Sequence, residues 1–190
     1  MSDAASATPA TITTLIVRAN AGDHDAVSAI FTALYDELHA LARSRLRGHA
    51  GLTLLDTTAL LHESYLRLVR LGALKVENRA HFLAYAARTM RSIVVDFARQ
   101  RLAQRRGGGT GELRLDTEAA PDARGEEEVL RVHDALEELA RVDERLVRLV
   151  EMRYFGGLTE EEIGAALGIT ERTVRRQWEK ARLLLAVALK

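Results

Sequence analysis

Cysteine is absent from the 190 residues. That excludes disulfides, thiolate zinc sites and a cysteine nucleophile, and it agrees with a reducing compartment. Proline occurs only twice and aromatic residues are few. With little to break a helix, and many Leu, Ala, Arg and Glu side chains that lose little rotamer freedom in one, the expected fold is all-α. Long apolar runs are missing as well. Every apolar stretch meets a charge well short of the roughly 20 residues a bilayer needs, so no membrane partner is expected. Met1 to Ala10 has neither the basic start nor the apolar run of a signal peptide, which points to a cytoplasmic protein.

Net charge is also missing, the formal total being zero. Attraction to nucleic acid must therefore come from where the charges sit. From Arg79 to Arg106 the charged side chains are Arg79, Arg88, Arg91, Arg99, Arg101, Arg105 and Arg106 against Asp96 alone. From Glu112 to Glu128 acids dominate, opposed only by Arg114 and Arg124. After Thr170 the balance turns basic again through Arg172, Arg175, Arg176, Lys180, Arg182 and Lys190.

The periodicity organises the chain into two small helical domains joined by a flexible acidic linker. Residues 1–9 read as a disordered tail. Ile12 to Ala19 is a short helix, closed by Asn20-Ala21-Gly22-Asp23. Ala26, Ile30, Phe31, Leu34, Leu38, Leu41 and Leu46 then recur at helical spacing up to Gly48, as one amphipathic helix. Another runs from about Thr57 to Leu71, and a long one from His81 to about Arg105. These four can bury each other's apolar faces, giving a first domain over 10–104. Gly107-Gly108-Gly109 and the aperiodic acidic stretch after it make 105–126 a linker. Four more helices, about Glu127–Leu139, Asp143–Phe155, Thr159–Leu167 and Thr170–Leu189, form a second domain over 127–190.

The strongest local signal runs from Leu158 to Val174. Thr159 caps a helix whose first turn is acidic, Ile163 and Leu167 face inward, and Gly164 lets a partner helix approach. Gly168 permits a left-handed turn, Thr170 caps the next helix, and Val174, Trp178, Ala181 and Leu185 repeat down its inner side. This is helix-turn-helix spacing, in which the second helix lays its first turns against base edges in the major groove. Glu171, Arg172, Arg175 and Arg176 are the expected readers: arginine offers a fork of donors for guanine or phosphate, and glutamate accepts from the cytosine amino group. A second signal is the arginine-rich helix from Arg79 to Arg106, which carries cations beside Phe82 and Tyr85. Single-stranded DNA asks for that combination, although core positions are the commoner role for such aromatics.

Nothing in the sequence supplies catalysis. His24, His39, His49, His62, His81 and His133 are scattered without metal-ligand spacing, and there is no phosphate loop or nucleophile motif. No metal and no cofactor are expected.

The order of these parts carries a resemblance. Phe82-Leu83-Ala84-Tyr85-Ala86-Ala87-Arg88-Thr89-Met90-Arg91-Ser92-Ile93-Val94-Val95-Asp96-Phe97-Ala98-Arg99 resembles the helix by which extracytoplasmic-function (ECF) sigma factors of the sigma-70 family engage the minus-ten promoter element. Asp143-Glu144-Arg145, Tyr154-Phe155-Gly156-Gly157-Leu158-Thr159 and Thr173-Val174-Arg175-Arg176-Gln177-Trp178-Glu179-Lys180-Ala181-Arg182 resemble their minus-thirty-five-binding domain. The resemblance implies that 10–104 is region two, which docks on the beta-prime clamp of RNA polymerase core and captures a flipped base of the nontemplate strand. Asn78, Arg79, His81, Tyr85, Arg88 and Arg91 would make the minus-ten contacts. Residues 127–190 would be region four, meeting the beta flap while Thr170, Glu171, Arg172, Thr173, Arg175, Arg176 and Glu179 serve the minus-thirty-five element. An anti-sigma factor is a further partner that the family implies.

One stretch departs from the family pattern. Where most ECF factors carry an Asp-Ala-Glu-Asp group, this sequence has Asp56-Thr57-Thr58-Ala59, followed by Leu60-Leu61-His62-Glu63-Ser64-Tyr65. Two carboxylates that would face basic clamp residues are replaced by Thr58 and Ala59, leaving Asp56 and Glu63 as core polymerase contacts. A phosphothreonine would restore about −1.5 to −2 charges at a helix N-terminus, where an anion is favoured. The pattern is similar to the ECF subgroup tied to serine/threonine protein kinases, so phosphorylation of Thr58 is expected, with Thr57 and Thr53 as alternates. Against this stands the ordinary use of threonine as a helix cap. The competing function is a stand-alone helix-turn-helix transcriptional regulator, which would leave the arginine-rich helix and acidic linker unexplained.

Overall fold

The structure, a computed structural model, describes residues 9–46, 55–70, 74–107 and 124–190. Among these the chain is all-α, with helices α1 (Pro9–Asn20), α2 (His24–Ala33), α3 (Tyr35–Leu46), α4 (Thr57–Arg70), α5 (Arg79–Gly107), α6 (Arg124–Val142), α7 (Glu144–Val150), α8 (Glu160–Leu167) and α9 (Glu171–Ala188). A π-helical segment, Glu151–Phe155, continues α7. Most of the expected linker lies outside the described residues; Gly107 ends α5, and Glu126 falls within α6. None of the described helices is long and apolar enough to cross a membrane.

The single helix expected from Ala26 to Leu46 is two helices. The break falls at Leu34, whose φ of −109° and ψ of 18° leave the helical region while its amide still reaches the Ile30 carbonyl. Two hydroxyls of α2 bond back to carbonyls of their own helix. Ser28 Oγ donates to the His24 carbonyl at 3.2 Å and Thr32 Oγ1 to the Ser28 carbonyl at 3.0 Å. Such back-bonding often bends a helix, but Ser64 and Thr89 bond back in the same way within α4 and α5, which run on unbroken. The bend keeps Ile30, Phe31, Leu34 and Leu38 all buried, so the apolar spacing survives while the axis turns.

Helix α5 is the element around which the rest is arranged. It packs against α1, α3 and α4 from the first part of the chain, and against α6, α8 and the π-helical segment from the second. Its buried side chains Phe82, Leu83, Ala86, Met90, Ile93, Val94 and Val95 follow helical spacing. Phe82 meets Phe31 edge to face, with ring centroids 5.8 Å apart. Near the other end of α5, Arg101 lies 3.3 Å from a carboxylate oxygen of Glu126, whose side chain is fully buried. A carboxylate so placed is tolerable only beside a cation.

Candidate nucleic-acid interface

The helix-turn-helix is built by caps. Thr159 Oγ1 accepts from the Glu162 amide at 3.2 Å, and Glu162 Oε2 accepts from the Thr159 amide at 2.9 Å. That reciprocal pair satisfies two donors that the start of α8 leaves open. Gly168 ends α8 at φ +65°, in the left-handed region that glycine enters without steric cost. Gly164 makes room for the turn itself: a Cβ there would sit 2.7 Å from the Ile169 carbonyl oxygen. Thr170 Oγ1 accepts from the Thr173 amide at 3.3 Å and starts α9. Val174 and Ala181 are fully buried beneath the helix.

That arrangement turns Glu171, Arg172, Arg176 and Glu179 outward to solvent, while Thr173 is half-buried. Arg175 is exposed yet engaged, donating to Glu160 and, at 3.2 Å, to Glu171. The Arg175 and then the Arg153 guanidinium hold the Glu160 carboxyl below its ordinary value. Arg153 also stands over the half-buried Trp178 ring, 4.8 Å from its centroid, in cation–π geometry.

The second candidate set sits on α5. Asn20 fixes the approach to it, its Nδ2 donating to the Val76 carbonyl at 2.6 Å and its Oδ1 accepting from the Val76 amide at 3.2 Å. Asn78 then caps α5, its Oδ1 accepting from the His81 amide at 2.9 Å. His81, Tyr85, Arg88 and Arg91 follow at spacings of four, three and three residues, which places them along one face. Tyr85 is half-buried against the core, and Arg88 is open to solvent. Arg67 and Arg70 of α4 join Tyr85, Arg88, Thr89 and Ser92 around an open groove. Arg67 and Arg70 escape a reading that follows one helix at a time.

Four members of this set are not free. Arg91 donates to Glu151 at 2.8 Å, and Arg88 lies 3.9 Å from the same carboxylate. Arg79 bridges Glu37 of α3 and Glu162 of α8, the latter at 3.2 Å. His81 Nε2 lies 2.8 Å from the Ala166 carbonyl oxygen. Glu151, Glu162 and Ala166 were not expected at this site. Glu151 had a visible signal, since it falls at core spacing between Val147 and Phe155, where a carboxylate needs a partner.

On α4, Asp56 is the cap, its Oδ1 accepting from the Ala59 amide at 2.7 Å. Thr57 is half-buried and Thr58 exposed; Thr53 lies outside the described residues. Glu63 is half-exposed and lies 3.4 Å from Arg67. Thr58 opens onto a shallow groove shared with Thr32, Tyr35, Leu61 and His62.

Across the sequence, a family model described as ECF sigma factor matches residues 9–190, while a search among curated proteins returned no match.

Proposed function

The chain belongs to the ECF sigma factor family, whose members direct transcription initiation with core RNA polymerase and promoter DNA as partners, and on that premise we propose how its residues divide the work. Residues 10–104 act as region two, with Asn78, Arg79, His81, Tyr85, Arg88 and Arg91 as the minus-ten contacts. Residues 127–190 act as region four and present Thr170, Glu171, Arg172, Thr173, Arg175, Arg176 and Glu179 to the minus-thirty-five element. The observation that carries this reading is the intact turn ahead of α9 together with the exposure of Glu171, Arg172 and Arg176 on its first turns. A family match that spans both halves does not favour a stand-alone regulator.

In the same reading Asp56 and Glu63 meet the beta-prime clamp, and phosphorylation of Thr58 by a serine/threonine kinase completes that surface. Its support is electrostatic. The first turn of α4 holds no acidic residue, so its partial positive charge meets no anion beyond the Asp56 cap. An exposed phosphothreonine at Thr58 would supply one.

In vitro transcription with core polymerase on a promoter library tests the whole. Specific transcripts that depend on this protein are expected, and their absence in every modification state overturns the reading. A pull-down with core polymerase, comparing Thr58→Ala with kinase-treated protein, tests the switch. Equal binding by both would remove it.

A further inference from the structure

Glu160 stands outside the set given to the minus-thirty-five element, yet it grips a member of that set. Its Oε2 accepts from Arg175 Nε, while its Oε1 accepts from Arg153 Nη1 at 2.7 Å. Glu171 Oε2 accepts from Arg175 Nη2 at 3.2 Å. We propose that Glu160 is a positioning residue for promoter reading: it holds the side edge of the Arg175 guanidinium, so that the end edge, Nη1 with Nη2, is presented to a guanine of the minus-thirty-five element. The inference rests on the DNA-reading role given to α9 above.

Glu160 is anchored independently of Arg175. It is the first residue of α8, directly after the Thr159 cap, where the helix dipole favours a carboxylate. Arg153 reaches it from the π-helical segment and is itself seated over the Trp178 ring. The Glu160 side chain is 24% exposed, against 65% for Arg175. A fixed carboxylate therefore steers a long, exposed arginine, and not the reverse.

A guanidinium has two edges that can each serve a pair of acceptors. On Arg175 the edge made by Nε and Nη2 is taken by Glu160 and Glu171, which leaves the end edge open. Guanine O6 and N7 are the pair of major-groove acceptors that such a fork fits. Phosphate is the poorer match. Glu160 and Glu171 answer the two guanidiniums of Arg153 and Arg175, so the cluster offers a DNA backbone little net charge. What it offers is direction. An unheld arginine must be ordered when DNA binds, at a cost in affinity, whereas Glu160 orders this one beforehand.

The test uses the full chain with core polymerase on promoters randomised across the minus-thirty-five element, with the bound DNA sequenced. Wild type should prefer guanine at one position, and Arg175→Ala should lose that preference. Glutamine keeps the length of Glu160 but accepts through one oxygen only, so it cannot hold both arginines. Glu160→Gln should therefore lower the same preference about 2- to 10-fold, at that position alone, although Arg175 is still present. Added to Arg175→Ala, it should change nothing further there. Arg175→Lys keeps the charge without the fork and should lose the guanine as alanine does. The salt dependence of binding should stay unchanged in Arg175→Ala.

Equal weakening of every position by Glu160→Gln would make Glu160 merely structural, and tighter binding to all promoters would make it a competitor of DNA; either result overturns the proposal. So would a salt slope reduced by about 0.9 in Arg175→Ala, the mark of a lost phosphate contact. Should Glu160→Gln fail to fold, nitrogen relaxation at Arg175 Nε in the free wild type decides, since a held guanidinium should be as rigid as the backbone. A mobile Arg175 in a protein that transcribes from specific promoters would overturn the positioning alone. A rigid Arg175 in a protein that directs no specific transcription would instead fault the functional reading, and the reading role of Glu160 with it.

Discussion

Arg91 and Glu151 lie sixty residues apart in the chain, yet their side chains meet at 2.8 Å in a buried contact between α5 and the π-helical segment. Arg91 also donates to His133 Nδ1 at 2.9 Å, and its guanidinium stands 5.9 Å from the Phe155 ring centroid. One arginine therefore ties α5 to two later elements.

A double-mutant cycle of Arg91→Ala and Glu151→Ala should show this tie as a coupling. Each single change leaves its partner's charge buried and unmet, so each should destabilise the chain by more than the double change implies. The expected coupling is about 1–3 kcal/mol, read from urea midpoints. Additive effects would mean that the two side chains do not meet in solution.

The turn between α8 and α9 should tolerate no side chain at either glycine. At Gly164 a Cβ would press on the Ile169 carbonyl oxygen, which belongs to backbone and has little room to yield. At Gly168 a Cβ meets no neighbour, but φ of +65° is strained for any L residue. Gly164→Ala should cost about 1–3 kcal/mol and Gly168→Ala about 1–2 kcal/mol, measured by chemical unfolding. A change within about 0.5 kcal/mol of wild type at either glycine would contradict the geometry.

The exposed first turns of α9 should matter for promoters and not for stability. Arg172→Ala and Arg176→Ala should each lower transcription from a cognate promoter about 5- to 150-fold if the side chain reads a base, and more uniformly across promoters if it holds a phosphate. Unfolding midpoints should stay within about 0.5 kcal/mol of wild type, because both side chains are exposed. Loss of stability in step with loss of activity would assign them to the fold instead.

Acidity should weaken the fold through His133. Burial, and then the charge of Arg91, lower its pKa from the ordinary 6.5; Arg99 acts in the same sense, while Glu137 and Asp134 on its own helix oppose. The unfolded chain therefore binds the extra proton more readily than the folded one. The contribution to stability is fully present above about pH 6.5 and is lost as the pH falls below that value. Geometry agrees, since a proton on Nδ1 would set a donor against the Arg91 guanidinium. The urea midpoint should fall between about pH 8 and about pH 5.5, and His133→Ala should reduce that fall. A midpoint that falls equally in His133→Ala would place the proton elsewhere.

The sequence alone determined whatever is local. Helix-forming composition, apolar spacing and the caps at Thr159, Thr170 and Gly168 act over one or two turns, so the α8–turn–α9 unit and the exposed face of α9 could be read directly from Leu158 to Glu179. The bend at Leu34 stayed hidden because Ile30, Phe31, Leu34 and Leu38 keep one apolar spacing across it. What only the tertiary structure decided is which charge meets which. A run of arginines on α5 reads as a surface waiting for nucleic acid until a distant glutamate, buried where the π-helical segment packs on α5, is found beside Arg91. Coulomb pairing between elements depends on the path the chain takes through space, and that path is fixed by the sum of many apolar contacts rather than by any motif.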